Sequence, residues 1–536
     1  MKYYMTTEPF TLTNIDTLET TEYNNLEDIL TAALKSSCTV YIYELSKLAQ
    51  AIVNKLDKFG YEEQSTVDLD NGILSRIDPM TFIQLGSLKE RTTLLIRLRR
   101  LNDVQVIFQN VKALFGKATI EDICLATIGE NEEIFGMCTA IDNLLEEGHT
   151  LFTLAGNALK DLKTECFGRM VNGKLEFGDL NFLERFPKLT EEVHEFVMKG
   201  FQGGLCYFNT KYTGTHNVEG TEYDVNSMYP SVMLDEFLPY GEPDHFFGEF
   251  DKTIKRKPMY FQRVIIDKLL LKDDGIPCIR NKEAMVYYEV AENVELVLNS
   301  IDIEMLFDNY NVEGIKYVDG YRFNGRRKMF NNFINKWAEK KKAAADGSFE
   351  RMYAKLMLNS TFGKFASRTD RMPSKYRKSN GKLIRYKHVL GKKRREGNSV
   401  YAPVGSYITS YARQRLIKAI KENKENFIYS DTDSMYVKGE ATGIEIDKAK
   451  FGAWKEEFKF TRMTIIGKKQ YCVEKTDGSV KVVLAGIPDK VVEKITKFED
   501  FYLGKKIDFE IKKYDLEGNA YIKQQPTVTL KDHEIQ

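Results

Sequence analysis

The chain has 536 residues, 43% of them hydrophobic and 29% charged, and its 78 basic residues are balanced by 78 acidic ones. That length allows two or more domains with large cores, and the composition excludes disordered, collagenous and membrane-spanning classes. Seven scattered cysteines with no Cys-x-x-Cys pair, and six dispersed histidines, support neither a disulfide frame nor a zinc site. No apolar run approaches the roughly 18 residues of a membrane span, and the N-terminus lacks an apolar signal core, so a cytoplasmic location without membrane contact is expected.

Residues 1 to about 200 mix strand-like runs (Thr39 to Tyr43, Gln105 to Phe108) with helical ones (Leu45 to Leu56, Glu132 to Leu145), the pattern of an α/β unit. Phe201-Gln202-Gly203-Gly204 breaks it. Residues 223 to 233 read as a strand followed by a turn at Pro230, which puts Asp224 at a strand end on a sheet edge. Phe330 to Phe362 predicts two helices parted near Asp346-Gly347. On the second, Lys355, Asn359 and Phe362-Gly363 share a face, and Arg351 and Lys341 extend it. From Lys364 to Arg395 thirteen lysines and arginines face a single acid, Asp370. Such a run is either a solvated loop or a phosphate-binding surface, and zero net charge does not exclude the latter, because nucleic-acid binding needs only a local positive stripe. Phe427 to Val437 alternates apolar and polar residues around Asp431-Thr432, the pattern of a β-hairpin. Asp431 and Asp433, two apart on extended chain, are expected to point to one face.

These pieces suit one chemistry. Nucleotidyl transfer attacks an α-phosphate with a hydroxyl while pyrophosphate leaves, and two divalent ions about 4 Å apart activate the attacking oxygen and shield the leaving group. Magnesium takes a few carboxylates and fills its remaining positions with water and substrate phosphate. A hairpin that holds Asp431 and Asp433 beside Asp224 makes such an anionic site, where an isolated Asp-Thr-Asp would read as a capped turn. Lys355 meets a triphosphate as a point charge. The Tyr229 ring, just past the Asp224 strand, lies where it would collide with a 2′-hydroxyl.

In this order the segments resemble the family B DNA polymerases. Asp224-x-x-Ser227-x-Tyr229-Pro230 is similar to their motif A, Lys355-x-x-x-Asn359-Ser-x-x-Gly363 to motif B, and Tyr429-x-Asp431-Thr-Asp433-Ser to motif C. The protein-primed branch is the nearest in pattern. Phe201-Gln202-Gly203-Gly204 resembles its Tyr-x-Gly-Gly linker, and Lys469-Gln470-Tyr471 its Lys-x-Tyr motif. The resemblance implies an α+β right-hand polymerase of palm, fingers and thumb behind an N-terminal RNase H-like exonuclease-type domain. Its expected divisions are 1–200 exonuclease-like, 201–235 and 401–484 palm, 236–328 and 367–400 the two terminal-protein insertions, 329–366 fingers, and 485–536 thumb. It implies Asp224, Asp431 and Asp433 as catalytic acids, with Asp224, Asp433 and the Val225 carbonyl holding two Mg²⁺ ions, for which Mn²⁺ can substitute. Tyr229, Lys341, Arg351, Lys355 and Asn359 would bind the nucleotide. Phe201, Gly203, Gly204, Ser227, Phe362, Gly363, Lys364, Lys469 and Tyr471 would hold DNA. The implied partners are template and primer DNA, dNTPs and a priming terminal protein, for a monomer working in a host cytoplasm if viral. Phe362 stands where the family usually has Tyr.

The N-terminal region departs from the family. Its exonuclease uses Asp-x-Glu, Asn-x-x-x-Asp and Tyr-x-x-x-Asp motifs. Around Tyr41-Ile-Tyr43 the second motif's positions hold Glu44 and Ala49; the third falls at Gly129-Glu-Asn-Glu-Glu133 without its Tyr; no first motif is found. Because a nuclease needs its own carboxylate cluster, the expectation is a retained fold without proofreading. A DNA-primed or primer-independent family B polymerase of a mobile element, and a non-catalytic DNA-binding descendant, are the rival readings.

Overall fold

The computed structural model describes residues 1–7, 9–25, 28–29, 32–33, 38–43, 66–69, 72–78, 81–85, 93–98, 104–115, 118–149, 153–171, 174–176, 179–282, 284, 286–366, 374–379, 382–387, 401–487, 489–508, 511–514, 520–524 and 527–530. Within the first 110 residues a nine-stranded sheet forms, with Lys2–Thr7, third from one edge, pairing antiparallel to Phe10–Asn14 and parallel to Cys38–Ile42, which is in turn parallel to the central strand Val104–Asn110. Helices Ile120–Ile128, Glu133–Glu146 and Leu154–Phe167 follow. Thr119 starts the first of them with a capping box, its hydroxyl accepting from the Asp122 N–H while the Asp122 carboxylate accepts from the Thr119 N–H. The expected strands at Thr39 and Gln105 and the helix at Glu132 are therefore present. The expected helix over Leu45 to Leu56, with Glu44 and Ala49, lies outside the described residues.

The second large sheet has seven strands in the order Cys206–Phe208, Phe427–Asp431, Ser434–Lys438, Gly214–Val225, Trp454–Gly467, Gln470–Lys475 and Val480–Leu484. Gly214–Val225 is thus an interior strand hydrogen-bonded on both sides, and Asp224 sits near its C-terminal end rather than on a sheet edge. Interior pairing leaves a carboxylate little freedom except at the end where the strand runs out. The chain does not turn at Pro230. It bends at Ser227, which adopts φ +55°, and enters helix Met228–Asp235 with Pro230 in the first turn, where its missing N–H costs nothing.

Between that helix and the Lys355 region lies a separate four-stranded sheet of long strands, Leu238–Phe247, Tyr310–Arg326, Met259–Leu271 and Val290–Asn299. Helices Asn331–Ala343 and Phe349–Phe365 follow, parted by Gly347 at φ +81° where the sequence placed its turn. Backbone strands Ser374–Ser379 and Lys382–Lys387 pair within the basic run. The 21-residue helix Ala402–Glu422 is buried along most of its length and packs against the Met228 and Phe349 helices and the four-stranded sheet. This packing fixes the Lys355 helix over the seven-stranded sheet. Among the described residues no helix is long and apolar enough to cross a membrane.

Candidate active site

Asp431 and Ser434 face each other across the Phe427–Lys438 hairpin, so Thr432 and Asp433 form its two-residue loop. Thr432 has φ +63°, and the Asp433 N–H donates to the Asp431 carbonyl at 2.7 Å. This is a γ-turn of the rarer, strained hand. The chain is therefore not extended there, as the expected shared face requires, although the Asp431 charge still acts on Asp433. Asp433 lines a cleft of about 1460 Å³ together with Asp224 and Val225. The Asp431 carboxylate instead receives the Lys469 ammonium on both oxygens, at 2.6 Å each. The Val225 N–H donates to the Asp433 carbonyl at 2.8 Å, locking the loop to the Asp224 strand. Burial and the Asp433 charge push the Asp224 carboxyl up to about 6, and burial with the Asp431 charge raises that of Asp433. Two desolvated carboxylates facing one cleft fit a divalent cation, which would relieve both costs.

Cations line the opposite wall. Ser348 caps the Phe349 helix by accepting from the Arg351 N–H at 3.3 Å. From that start Arg351, Lys355, Asn359 and Phe362 fall on the cleft-lining face. Gly363 has open space where a side chain would stand, and Lys364 lies half-buried in the last turn. Lys341, from the preceding helix, reaches Ser227 Oγ at 3.3 Å, and its backbone carbonyl accepts from Arg351 Nη1 at 2.7 Å. Burial, then the nearby charges of Lys355 and Arg351, lower the Lys341 pKa. Crowded, partly desolvated cations of this kind suit a polyanion. Tyr229 packs its ring on Phe362 with centroids 4.3 Å apart, forming an aromatic floor between the two walls.

The remaining expected DNA contacts divide into exposed and buried groups. Phe201 is half-buried just past helix Glu191–Gly200. The carbonyls of Gln202 and Gly203 both accept from Arg413 Nη1 at 2.7 Å. Gly204 lies so close to the hairpin loop that a Cβ there would come within 2.7 Å of Thr432 Oγ1, and the Thr432 N–H donates to the Leu205 carbonyl at 2.7 Å. Lys469, at φ +58°, turns the Trp454–Lys475 hairpin and donates its N–H to the Tyr429 hydroxyl at 2.8 Å. Tyr471 is only 3% exposed; it stacks on Tyr429 and pairs its hydroxyl with that of Tyr436 at 3.1 Å. The structure therefore leaves Tyr471 no surface to touch DNA and makes it a brace behind the Asp431 strand.

The same residues are matched by known proteins. A family model, "DNA polymerase type B, organellar and viral", matches residues 136–448. The chain belongs to the type B DNA polymerases of organelles and viruses. The DNA polymerase of Bacillus phage Nf is 28% identical over 90% of this chain and 89% of its own length. That of Streptococcus phage Cp-1 is 30% identical over 70% of this chain and 66% of its own. The phi29 DNA polymerase solved as a ternary complex with primer-template DNA and incoming nucleotide superposes with a TM-score of 0.81, at 24% identity, over 99% of this chain and 98% of that one. The right-hand α/β architecture is thus that of phi29 DNA polymerase, and the chain is a DNA polymerase, which sets aside the non-catalytic reading.

This polymerase has a different arrangement at its other end. Tyr4, on the interior strand Lys2–Thr7, is 1% exposed and donates its hydroxyl to Glu133 Oε1 at 2.8 Å. Glu133 is the residue on which the third nuclease motif falls. Burial, then the Glu133 charge, hold the Tyr4 phenol well above its ordinary range. Met137, one turn further along the helix, is fully buried beside Cys138 and Ile141. Among the described residues no three acidic, histidine or cysteine side chains converge as a metal-binding group, there or in the cleft, whose acids besides Asp224 and Asp433 are Asp122, Glu339, Asp346 and Glu457. Sequence reasoning missed Lys448, Lys455 and Glu457, which also line the cleft, and Arg413, which holds the Gln202-Gly203 loop. Lys455 meets Asp224 and Arg413 meets the Gln202-Gly203 loop across long sequence separations, and no local pattern marks them.

Proposed function

We propose that this polymerase extends DNA by two-metal nucleotidyl transfer, begins on a protein hydroxyl, displaces the strand ahead and does not proofread. The observation that carries the reading is one cleft with Asp224 and Asp433 on one wall and Lys341, Arg351 and Lys355 on the other. Asp224, Asp433 and the Val225 carbonyl would hold the ions. When bound, Mg²⁺ lowers the pKa of the attacking hydroxyl and neutralises charge on the phosphates. Lys341, Arg351 and Lys355 grip the triphosphate, and Asn359 orients it. Tyr229 on its Phe362 support lies under the sugar and rejects a 2′-hydroxyl. Asp431 acts by fixing Lys469, which directs its charge at the primer strand; Tyr471 stiffens the same hairpin from behind. Gly203, Gly204, Phe201, Ser227, Gly363 and Lys364 shape the path of template and primer.

Protein priming is supported by the four-stranded sheet at Leu238–Arg326, which falls within the expected first insertion, and by the match to phage polymerases. The basic run after Lys364 occupies the second expected insertion and is the feature that favours strand displacement. Loss of proofreading is supported by the departures from the nuclease motifs at Glu44, Ala49 and 129–133, and by the Tyr4 hydroxyl occupying one oxygen of Glu133. The working form is a monomer in a host cytoplasm, with the expected division into palm, fingers, thumb and insertions.

The test is to incubate the purified chain with Mg²⁺, labelled dATP and each small basic protein found encoded by a neighbouring gene. Labelled dAMP should appear on one of them and vanish with Asp433→Ala. Extension of a DNA primer without any labelled protein would replace protein priming with DNA priming. Prompt metal-dependent degradation of a single-stranded 3′ end that survives Asp433→Ala would overturn the loss of proofreading.

A further inference from the structure

Asp224 has a cross-strand partner that no sequence motif announces. In the register of Gly214–Val225 against Trp454–Gly467 it faces Lys455, whose ammonium lies 3.4 Å from Asp224 Oδ1 and also contacts the Glu457 carboxylate. All three side chains line the cleft, each about one-third exposed or less than two-fifths. A cation placed on a carboxylate that must receive another cation is an obstacle to loading. A second carboxylate within its reach gives the ammonium somewhere to stay when the first is taken.

We propose that Lys455 is a built-in competitor for the divalent ion. It neutralises Asp224 in the ion-free enzyme and is transferred wholly to Glu457 when an ion takes Asp224. The exchange breaks one ion pair and keeps the other, so no charge is stranded. The lysine would keep the ion-free centre folded and set the concentration at which it fills. This inference rests on Asp224 and Asp433 being the ion-binding carboxylates.

The test uses the full chain without DNA, titrated with Mn²⁺ and Mg²⁺ by calorimetry and followed by thermal unfolding in chelator and in excess ion. Lys455→Met should tighten ion binding by roughly two- to fivefold, the scale of a partly exposed ion pair. It should lower the melting temperature in chelator more than in excess ion, whereas a merely structural lysine would lower both equally. Lys448→Met, which removes a charge from the same cleft without touching Asp224, should change affinity less. Glu457→Gln should weaken ion binding while Lys455 is present and lose most of that effect in the Lys455→Met background, because partners in one exchange are not additive. Unchanged or weaker ion binding by Lys455→Met, an effect no larger than that of Lys448→Met, or strict additivity with Glu457→Gln would overturn the proposal. A wild-type chain that binds no ion, or an Asp224→Asn chain that binds as well as wild type, would instead overturn the assignment of the centre itself.

Discussion

Two places in this molecule could hold acids for phosphate chemistry, and they treat those acids in opposite ways. At the end of the Asp224 strand, Asp224 and Asp433 face open cleft; burial and the Asp433 charge hold the Asp224 carboxyl above the ordinary range, and burial and the Asp431 charge do so for Asp433. In the N-terminal domain, Glu133 has a buried tyrosine hydroxyl donated to it, and its neighbours along the helix are core residues. The first places desolvated carboxylates together in a cleft; the second leaves an exposed carboxylate tied to a buried phenol. Desolvated acids that converge in a cleft mark a working site, as a lone acid on the surface does not.

The comparison is broken most sharply by substitutions at the two sites. Asp433→Ala or Asp224→Asn should reduce primer extension by about a thousandfold or more, since several kcal/mol of charge stabilisation depend on them. Glu133→Gln should leave extension at wild-type rate. Across the cleft, Lys355→Ala should lower kcat/KM for dNTP by about ten- to a hundredfold, the scale of one or two charged hydrogen bonds. Tyr4→Phe should cost about 1 kcal/mol of stability, read by denaturant unfolding, because it removes one hydrogen bond from a buried phenol to an exposed carboxylate. Extension by the surviving folded protein should not change.

The pH dependence separates the sites more finely. Because the Asp224 carboxyl is raised to about 6, ionising it opposes folding. Ion-free stability should therefore fall as pH rises from the ordinary carboxylate range through about 6 and then level off. Asp224→Asn should raise the melting temperature in chelator at pH 7.5 and leave it unchanged near pH 4. Divalent-ion affinity should drop below about pH 6, where the proton competes for the same oxygen. An ion-free melting temperature at pH 7.5 that Asp224→Asn lowers would place Asp224 with Glu133, as an acid tied to a partner.

Much of this was legible in the chain. The Phe427 hairpin, the two helices on either side of Gly347 and the acids of the cleft follow from period, turn residues and motif. What was not legible depends on register between distant strands. Asp431 turning to Lys469, Lys455 reaching Asp224 and Tyr471 burying itself against Tyr436 all join residues whose sequence separation carries no local signal. The strand-edge reading of Asp224 failed for the same reason, since whether a strand is interior is decided by what pairs beside it. The bend at Ser227 was missed because a serine at positive φ has no propensity to betray it, while Pro230 looked like the obvious turn.

The contact between Gly204 and Thr432 has a consequence for how such a chain can diverge. With Thr432 Oγ1 and Cγ2 occupying the space a methyl group on residue 204 would need, the two positions cannot drift independently. A side chain gained at 204 must displace that of Thr432, so Gly204→Ala should slow primer extension and Thr432→Gly should restore part of it. The linker and the hairpin turn are, in mutational terms, a single character written in two places.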